Sequence, residues 1–244
     1  MNTQIIILAA GHGKRMQSEL PKALTLLNGK PFITHVLHSI KKSGMCDNPI
    51  IVIGQKGDSV RSALGPRYLY AVQEEQLGTG HAVMCAENIA EKATSILVLY
   101  ADHPLISAET IQNLIVTHQK EKATITMATA VVPDFNDWRE AFVAFGRFIR
   151  NDKDTVVKIV ESKDATDYEK DIKEVNPAYM CFDASWMWKH LHNLKNENAQ
   201  QEYYLTDLVA MAFKENQKIT TVTIDPREAL GVNTKEQLEL LENL

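Results

Sequence analysis

The residues best suited to chemistry lie between Gly11 and Lys22, where Gly11 and Gly13 are followed by Arg15, Pro21 and Lys22. Glycines there let the backbone approach a polyanion closely. Two side-chain cations at this spacing can then neutralise charge during a reaction, which suits a nucleoside triphosphate. Other phosphate-binding patterns fit worse. The spacing G-x-x-x-x-G-K-[ST] does not occur. In a G-x-G-x-x-G fingerprint the third glycine would fall at Met16, and the ribose-binding acid is missing where Ile50 to Ile53 runs into Gly54-Gln55-Lys56. A plain strand-to-helix turn explains the glycines but leaves Arg15 and the Pro21-Lys22 continuation unexplained.

Further along, Asp102 follows the apolar run Ile96-Leu-Val-Leu-Tyr-Ala. A carboxylate at a strand's end suits Mg²⁺, which takes few protein carboxylates and completes its shell with phosphate oxygens. Taken alone, Asp102 reads equally as a turn or capping acid. Gln73 carries a primary amide that can pair with both the N–H and the carbonyl of uracil, although its surroundings, Gln76 to His81, also read as a surface loop with a glycine turn. His12, His81 and His103 match no metal-ligand spacing, and phosphoryl transfer needs no imidazole, so they are incidental or at most phosphate-adjacent donors. His118 reads as an exposed or half-buried helix residue.

The elements that must position these groups follow from hydrophobic period. Strands are expected at Ile5 to Leu8, Ile50 to Ile53, Tyr68 to Val72, Ile96 to Leu99 and Ile125 to Val131. Phe32, Val36, Leu37 and Ile40 fall at helical spacing, with Pro31 suited to the first turn, Lys41 and Lys42 to the last and Gly44 to the stop. A second helix enters from Ser107. Alternating strands and helices, with near-continuous apolar strands, imply a Rossmann-like α/β fold: a mixed, mostly parallel sheet flanked by helices. Ligands of such sheets sit beyond the strands' carboxyl ends, where Gly11 and Asp102 both fall. Later, Phe142 to Ile149, Val156 to Glu161 and Val175 to Phe182 read as strands of a mixed extension forming one cleft wall. Leu208 to Phe213 continues a helix, Ile219 to Ile224 makes a late strand, and Thr234 with Gln237 forms a capping box. Trp186-Met187-Trp188 reads as packing against the following helix.

The 244 residues, 45% of them hydrophobic, can bury a large core as one domain, 1–244. A net charge of −5 gives no support to nucleic-acid binding. Cys46, Cys85 and Cys181 are scattered and odd in number, as in a reducing compartment. The apolar run after the N-terminus is too short for a signal core or membrane span, so a cytoplasmic protein is expected. No element of the sequence specifies an oligomer.

The Leu8 to Lys22 segment resembles the signature loop of sugar-1-phosphate nucleotidylyltransferases, L-x-x-G-x-G-[ST]-R-M-x(4)-P-K. Gln73 to Ala82 (QEEQLGTGHA), Tyr100 to Leu105 (YADHPL), Gly146 to Ile149 (GRFI), Lys158 to Ala165 (KIVESKDA), Glu202 to Asp207 (EYYLTD) and Gly231 to Thr234 (GVNT) recur in matching order. Together they are similar to the uridylyltransferase half of the bifunctional bacterial enzymes that make UDP-N-acetylglucosamine, over almost the whole chain. The resemblance implies a nucleotide-diphospho-sugar transferase fold that takes UTP and a sugar 1-phosphate. It implies Arg15 and Lys22 as catalytic cations, Mg²⁺ on Asp102 and Asn233, and nucleotide contacts at Ala10, Gly11, Gly13, Gln73, Gly78 and Thr79. It implies a sugar pocket of Gly146, Glu161, Asn176, Tyr204 and Thr206, with Asp207 as a supporting or helix-capping acid. Nucleic acid and membranes are not expected as partners.

Three departures qualify the likeness. Lys14 stands where the family has Ser or Thr, which adds a cation to the phosphate turn. Asn176-Pro177-Ala178 replaces Asn-Thr/Ser-Gly, adding a methyl and removing a backbone donor beside the implied sugar pocket. No hexapeptide ladder of a left-handed β-helix is present, so neither the acetyltransferase activity nor the trimerising element of those relatives is expected. The expected reaction joins UTP to N-acetylglucosamine 1-phosphate. The same chemistry on a different sugar 1-phosphate, or nucleotide-sugar binding without turnover, are the competing expectations.

Overall fold

The computed structural model describes residues 2–11, 20–55, 57–232 and 234–243. Arg15, Gly13 and Asn233 therefore lie outside the described residues. The first half comprises β1 (Thr3–Ala9), β2 (Leu26–Leu27), β3 (Lys30–Pro31), α1 (Phe32–Ser43), β4 (Ile50–Ile53), α2 (Asp58–Leu64), β5 (Leu69–Val72), α3 (Thr79–Met84), α4 (Glu87–Ala90), β6 (Ser95–Tyr100), α5 (Ala108–Glu121) and β7 (Ile125–Val131). The second comprises β8 (Gly146–Arg150), β9 (Val156–Val160), α6 (Asp167–Lys170), β10 (Glu174–Asn176), β11 (Met180–Asp183), α7 (Ala184–Leu191), α8 (Asp207–Lys214), β12 (Ile219–Thr223) and α9 (Lys235–Glu242).

One sheet runs in the order β5-β4-β1-β6-β11-β7-β10-β8-β9, with β12 also pairing β7. The strands β5, β4, β1 and β6 are mutually parallel. From β11 onward the sheet is mixed: β11 is antiparallel to both neighbours, whereas β12 lies parallel to β7. Both faces are covered. Ile5 and Ile7 enter one hydrophobic core and Ile6 the other, which is why β1 is apolar at successive positions rather than alternating. The chain leaves β1 toward β4 on one side and β6 on the other, so a crevice opens at the carboxyl end of β1.

Local signals set the helix ends. Pro31 precedes α1, and Gly44 closes it in the left-handed region (φ 66°) after Lys41 and Lys42. The Ser107 side chain accepts a hydrogen bond from the Thr110 N–H at 3.0 Å and starts α5. Thr234 and Gln237 form the expected capping box. Trp186 reaches from α7 to Glu215 at the end of α8, donating from Nε1 at 2.9 Å. Among the described residues, no helix is long and apolar enough to cross a membrane.

Three local expectations need correction. Val175 to Phe182 is not one strand: Pro177 has no N–H for the ladder, and the chain breaks into β10 and β11 around it. Phe142 to Phe145 is not strand either. A 3₁₀ turn spans Asp137–Ala144, and the strand begins at Gly146. The cause is the buried Arg147 guanidinium, which donates to the Phe142 carbonyl at 3.2 Å, to that of Val143 at 3.3 Å and to that of Phe145, drawing this stretch into a coil. His118 is neither exposed nor half-buried. It is 5% exposed on the sheet-facing side of α5, with Nδ1 3.1 Å from the Thr126 hydroxyl.

Candidate active site

A cavity of about 230 Å³ opens at the carboxyl ends of β1, β5 and β6. Ala10, Gly11, Lys22, Gln73, Gly78, Thr79 and Asp102 all line it, so the sequence-predicted nucleotide contacts among the described residues share one pocket with the predicted cation and acid. Lys22 opens a 3₁₀ turn directly after Pro21, and its Nζ donates to Asp102 Oδ2. Burial pushes the Asp102 carboxyl up, but Lys22 and then His103 outweigh it and hold the group below its ordinary range. The Asp102 carbonyl also accepts from the Val232 N–H at 3.1 Å, which ties the chain beside Asn233 to this strand end. A Cβ at Gly231 would lie 2.6 Å from His103 Nε2, so the close approach requires glycine.

Gln73 is buried, with Nε2 donating to the Gly78 carbonyl at 3.1 Å and lying 3.2 Å from His81 Nδ1. Gly78 has φ 106°, and a Cβ there would fall 2.7 Å from the Tyr203 carbonyl oxygen. Conformation and space both demand glycine. The same loop is stitched to a distant segment. The Tyr203 N–H donates to Leu77 at 2.8 Å, the Gly80 N–H to Tyr203 at 2.7 Å, and the Leu205 N–H to the Thr79 hydroxyl at 3.0 Å.

That second segment belongs to another cavity, also about 230 Å³, lined by Gly146, Glu161, Asn176, Tyr204 and Thr206. All five predicted sugar-side residues thus converge. Glu161 Oε1 accepts from the Thr206 hydroxyl at 3.0 Å, and a Cβ at Gly146 would lie 3.0 Å from Ile159 Cγ2 and 3.4 Å from Glu161 Oε2. Burial raises the Glu161 carboxyl above the ordinary glutamate value, against the Thr206 hydrogen bond and with further help from Asp207, Asp164 and Glu202. The Tyr204 hydroxyl accepts from Gln200 Nε2 at 2.9 Å. Asp207 opens α8 without capping it, and its carboxyl is likewise raised by burial.

The two cavities share a wall made of Thr79, Tyr100 and Glu202. Two linked groups can therefore lie end to end across it. Tyr100 and Glu202 were not singled out in the sequence. The stretches Y-A-D and E-Y-Y did contain them. His103 lines the second cavity. Its ring stacks on Tyr100 (centroids 5.6 Å apart) and Phe145 (6.4 Å), and Nδ1 lies 3.0 Å from the Tyr179 hydroxyl. Burial lowers its pKa, more than Asp102 raises it.

A mostly parallel sheet with a cation–carboxylate pair and two adjoining cavities at its strand ends suits a nucleotidyltransferase. Residues 5–205 match the MobA-like NTP transferase domain, and the chain belongs to that family. It is 41% identical over 239 residues to the bifunctional protein GlmU of Brevibacillus brevis, covering 97% of this chain and 50% of that protein. It is 39% identical over 246 residues to the bifunctional protein GlmU of Clostridium perfringens strain SM101, covering 100% of this chain and 52% of that protein. The chain thus spans about half the length of these relatives. In three dimensions it is similar to a UDP-glucose pyrophosphorylase solved with UDP-glucose, with TM-score 0.78, 17% identity, and coverage of 100% of this chain and 98% of that one. At that identity the likeness concerns the fold.

Proposed function

We propose that this chain transfers a uridylyl group from UTP to N-acetylglucosamine 1-phosphate, giving UDP-N-acetylglucosamine and pyrophosphate, in the cytoplasm. The observation that carries the reading is the wall of Thr79, Tyr100 and Glu202 common to both cavities. A nucleotide held on the Lys22–Asp102 side and a sugar held on the Glu161–Asn176 side would meet there at their phosphates. An oxygen of the sugar phosphate attacks the α-phosphorus of UTP. The bond to the bridging oxygen breaks, and pyrophosphate leaves with its electron pair.

A sugar phosphate carries nearly two negative charges at neutral pH, its second pKa being about 6, so its oxygen needs no general base. The barrier is the approach of two anions, and positioning with charge neutralisation lowers it. Lys22 supplies one positive charge, and Arg15 belongs to the same proposal from its place in the signature. Among the described residues no three His, Cys, Asp or Glu side chains cluster as an all-protein metal cage. One carboxylate at the strand mouth fits Mg²⁺, which binds through few carboxylates and the substrate's own phosphates. Asp102, with Asn233 proposed beside it, would hold the ion, which would supply charge neutralisation on the phosphates.

The decisive measurement is pyrophosphate release from UTP with a panel of sugar 1-phosphates, with and without Mg²⁺. Release that depends on Mg²⁺ and is fastest with N-acetylglucosamine 1-phosphate is expected. Binding without release would make the protein a nucleotide-sugar sensor. Faster turnover of glucose 1-phosphate would move the substrate, a reading that the Asn176-Pro177-Ala178 departure favours as the alternative.

A further inference from the structure

We propose that the His103 imidazole is a further ligand for the divalent ion at Asp102, a nitrogen donor that makes the site favour Co²⁺ or Zn²⁺ over Mg²⁺. The inference deepens the proposed function and rests on its placing of the ion at Asp102. It starts from where the protons must lie. The Tyr179 hydroxyl has one proton, which it donates to the Glu228 carbonyl at 2.7 Å. Toward His103 the same oxygen can only accept, so His103 Nδ1, 3.0 Å away, carries the ring's hydrogen. Among the described residues Nε2 makes no hydrogen bond, and Asp102 Oδ1 at 3.9 Å is beyond hydrogen-bond reach. Nε2 therefore offers its lone pair.

Two acceptors thus face each other, because Lys22 takes the other carboxylate oxygen, Oδ2. A lone pair opposite a carboxylate is unfavourable unless a cation or a donor stands between them. Bonds of about 2.1 Å to nitrogen and to oxygen let one ion reach both atoms across that distance. The ring is also supported as ligating histidines are, with its other N–H on an oxygen that fixes tautomer and plane. Tyr100 and Phe145 stack beside it, and Gly231 leaves Nε2 uncovered, since a Cβ there would lie 2.6 Å from it. Asp102 lines the first cavity and His103 the second, so an ion held by both would stand where the two phosphates meet. Imidazole suits the later transition metals, whereas Mg²⁺ prefers oxygen and would use the carboxylate alone.

Pulsed EPR of Mn²⁺ bound with α,β-methylene-UTP, which cannot transfer its uridylyl group, tests the ligand directly. The unaltered protein should show the nitrogen hyperfine coupling of a directly bound imidazole. That coupling should change when histidine alone is labelled with ¹⁵N, and it should vanish in His103→Leu. Spectra that ignore the label would mean a water bridge or a distant ring, and coupling that survives in His103→Leu would mean another histidine. Either result overturns the inference. Titration calorimetry with the same nucleotide then reads the ratio of Co²⁺ to Mg²⁺ affinity. Tyr179→Phe removes the oxygen that orients the ring and should lower this ratio about tenfold. His103→Leu should lower it further, and a ratio unmoved in both variants would refute the nitrogen donor. Pyrophosphate release separates the two readings. Release without nitrogen coupling leaves uridylyl transfer standing and removes this ligand, whereas coupling without release keeps the ion site and removes the transfer.

Discussion

The two cavities are built by different means. On the parallel side the walls are backbone: strand ends of β1, β5 and β6 deliver Gly11, Gln73 and Asp102 to one crevice, and a lysine and a carboxylate neutralise each other there. On the mixed side the ends of β8 and β10 combine with irregular turns, held by side chains that reach across the chain. There a carboxylate, Glu161, faces a hydroxyl instead of a cation, while a buried cation, Arg147, has main-chain carbonyls as its described partners. On the proposed function the first arrangement grips a triphosphate once Lys22 turns to the phosphates and Asp102 holds a metal ion. The second, with its fixed donors and acceptors, is suited to telling one neutral ring from another. On the proposed function, grip and discrimination fall to different parts of one sheet.

Removing charge from the gripping side should produce the largest effect. Lys22→Ala and Asp102→Ala are each expected to lower the rate of pyrophosphate release by about 10²–10³-fold, the first because it removes a cation that offsets transition-state charge and the second because it removes the carboxylate proposed to hold Mg²⁺. The KM for the sugar phosphate should change little. Near-normal turnover in either variant would mean that this pair is a structural ion pair and that the division between the cavities is misplaced.

The same division governs what could be read from residues alone. In the parallel half, period and punctuation agreed with tertiary structure. The bounds of β4, the Ser107 cap and the Pro31 to Gly44 span of α1 all follow from local rules. In the mixed half, long-range partners overrode the pattern. Nothing local to Phe142–Phe145 announces that a guanidinium two residues further on will gather its carbonyls. Pro177 was the exception: an interior strand proline already argues for a break. The residues that the family motifs assign to the sugar side gather in one cavity, a convergence no spacing rule gives, since Gly146, Glu161, Asn176 and Tyr204 come from four separate segments. His103 packs among Tyr100, Phe145 and Tyr179, a setting that no local pattern in the sequence announces.

Arg147→Met should separate the cavities by stability and by KM. Arg147 is 1% exposed, and its Nε also donates to the Lys170 carbonyl at 3.2 Å. Methionine keeps much of the packing but strands buried carbonyls, so unfolding in urea should show a loss of about 2–4 kcal/mol. Ala144, Phe145 and Gly146 line the second cavity, so KM for the sugar phosphate should rise well above any change in KM for UTP. Equal increases in both would show that the turn supports the whole fold rather than one cavity.

The smallest expected effect concerns the two carboxylates, whose pH dependences should have opposite sign. Glu161 has its folded-state pKa raised above the unfolded 4.5, chiefly by burial. The native state then binds this proton more tightly than the unfolded chain does. The stability it contributes is complete below the unfolded pKa and is lost as pH rises through the folded value. Asp102 is held below its unfolded 3.8, so its contribution is complete above that value and is lost as pH falls through the folded one. Glu161→Gln abolishes the first slope, and the variant should gain on the unaltered protein in melting temperature as pH rises from about 4 to 8. Its KM for the sugar phosphate should rise about tenfold, the loss of one charged acceptor. Asp102→Asn should instead fall behind as pH rises through the acid range. A Glu161→Gln difference that stays flat with pH would mean that Glu161 titrates as a solvated acid, and the discriminating cavity would then be wet rather than sheltered.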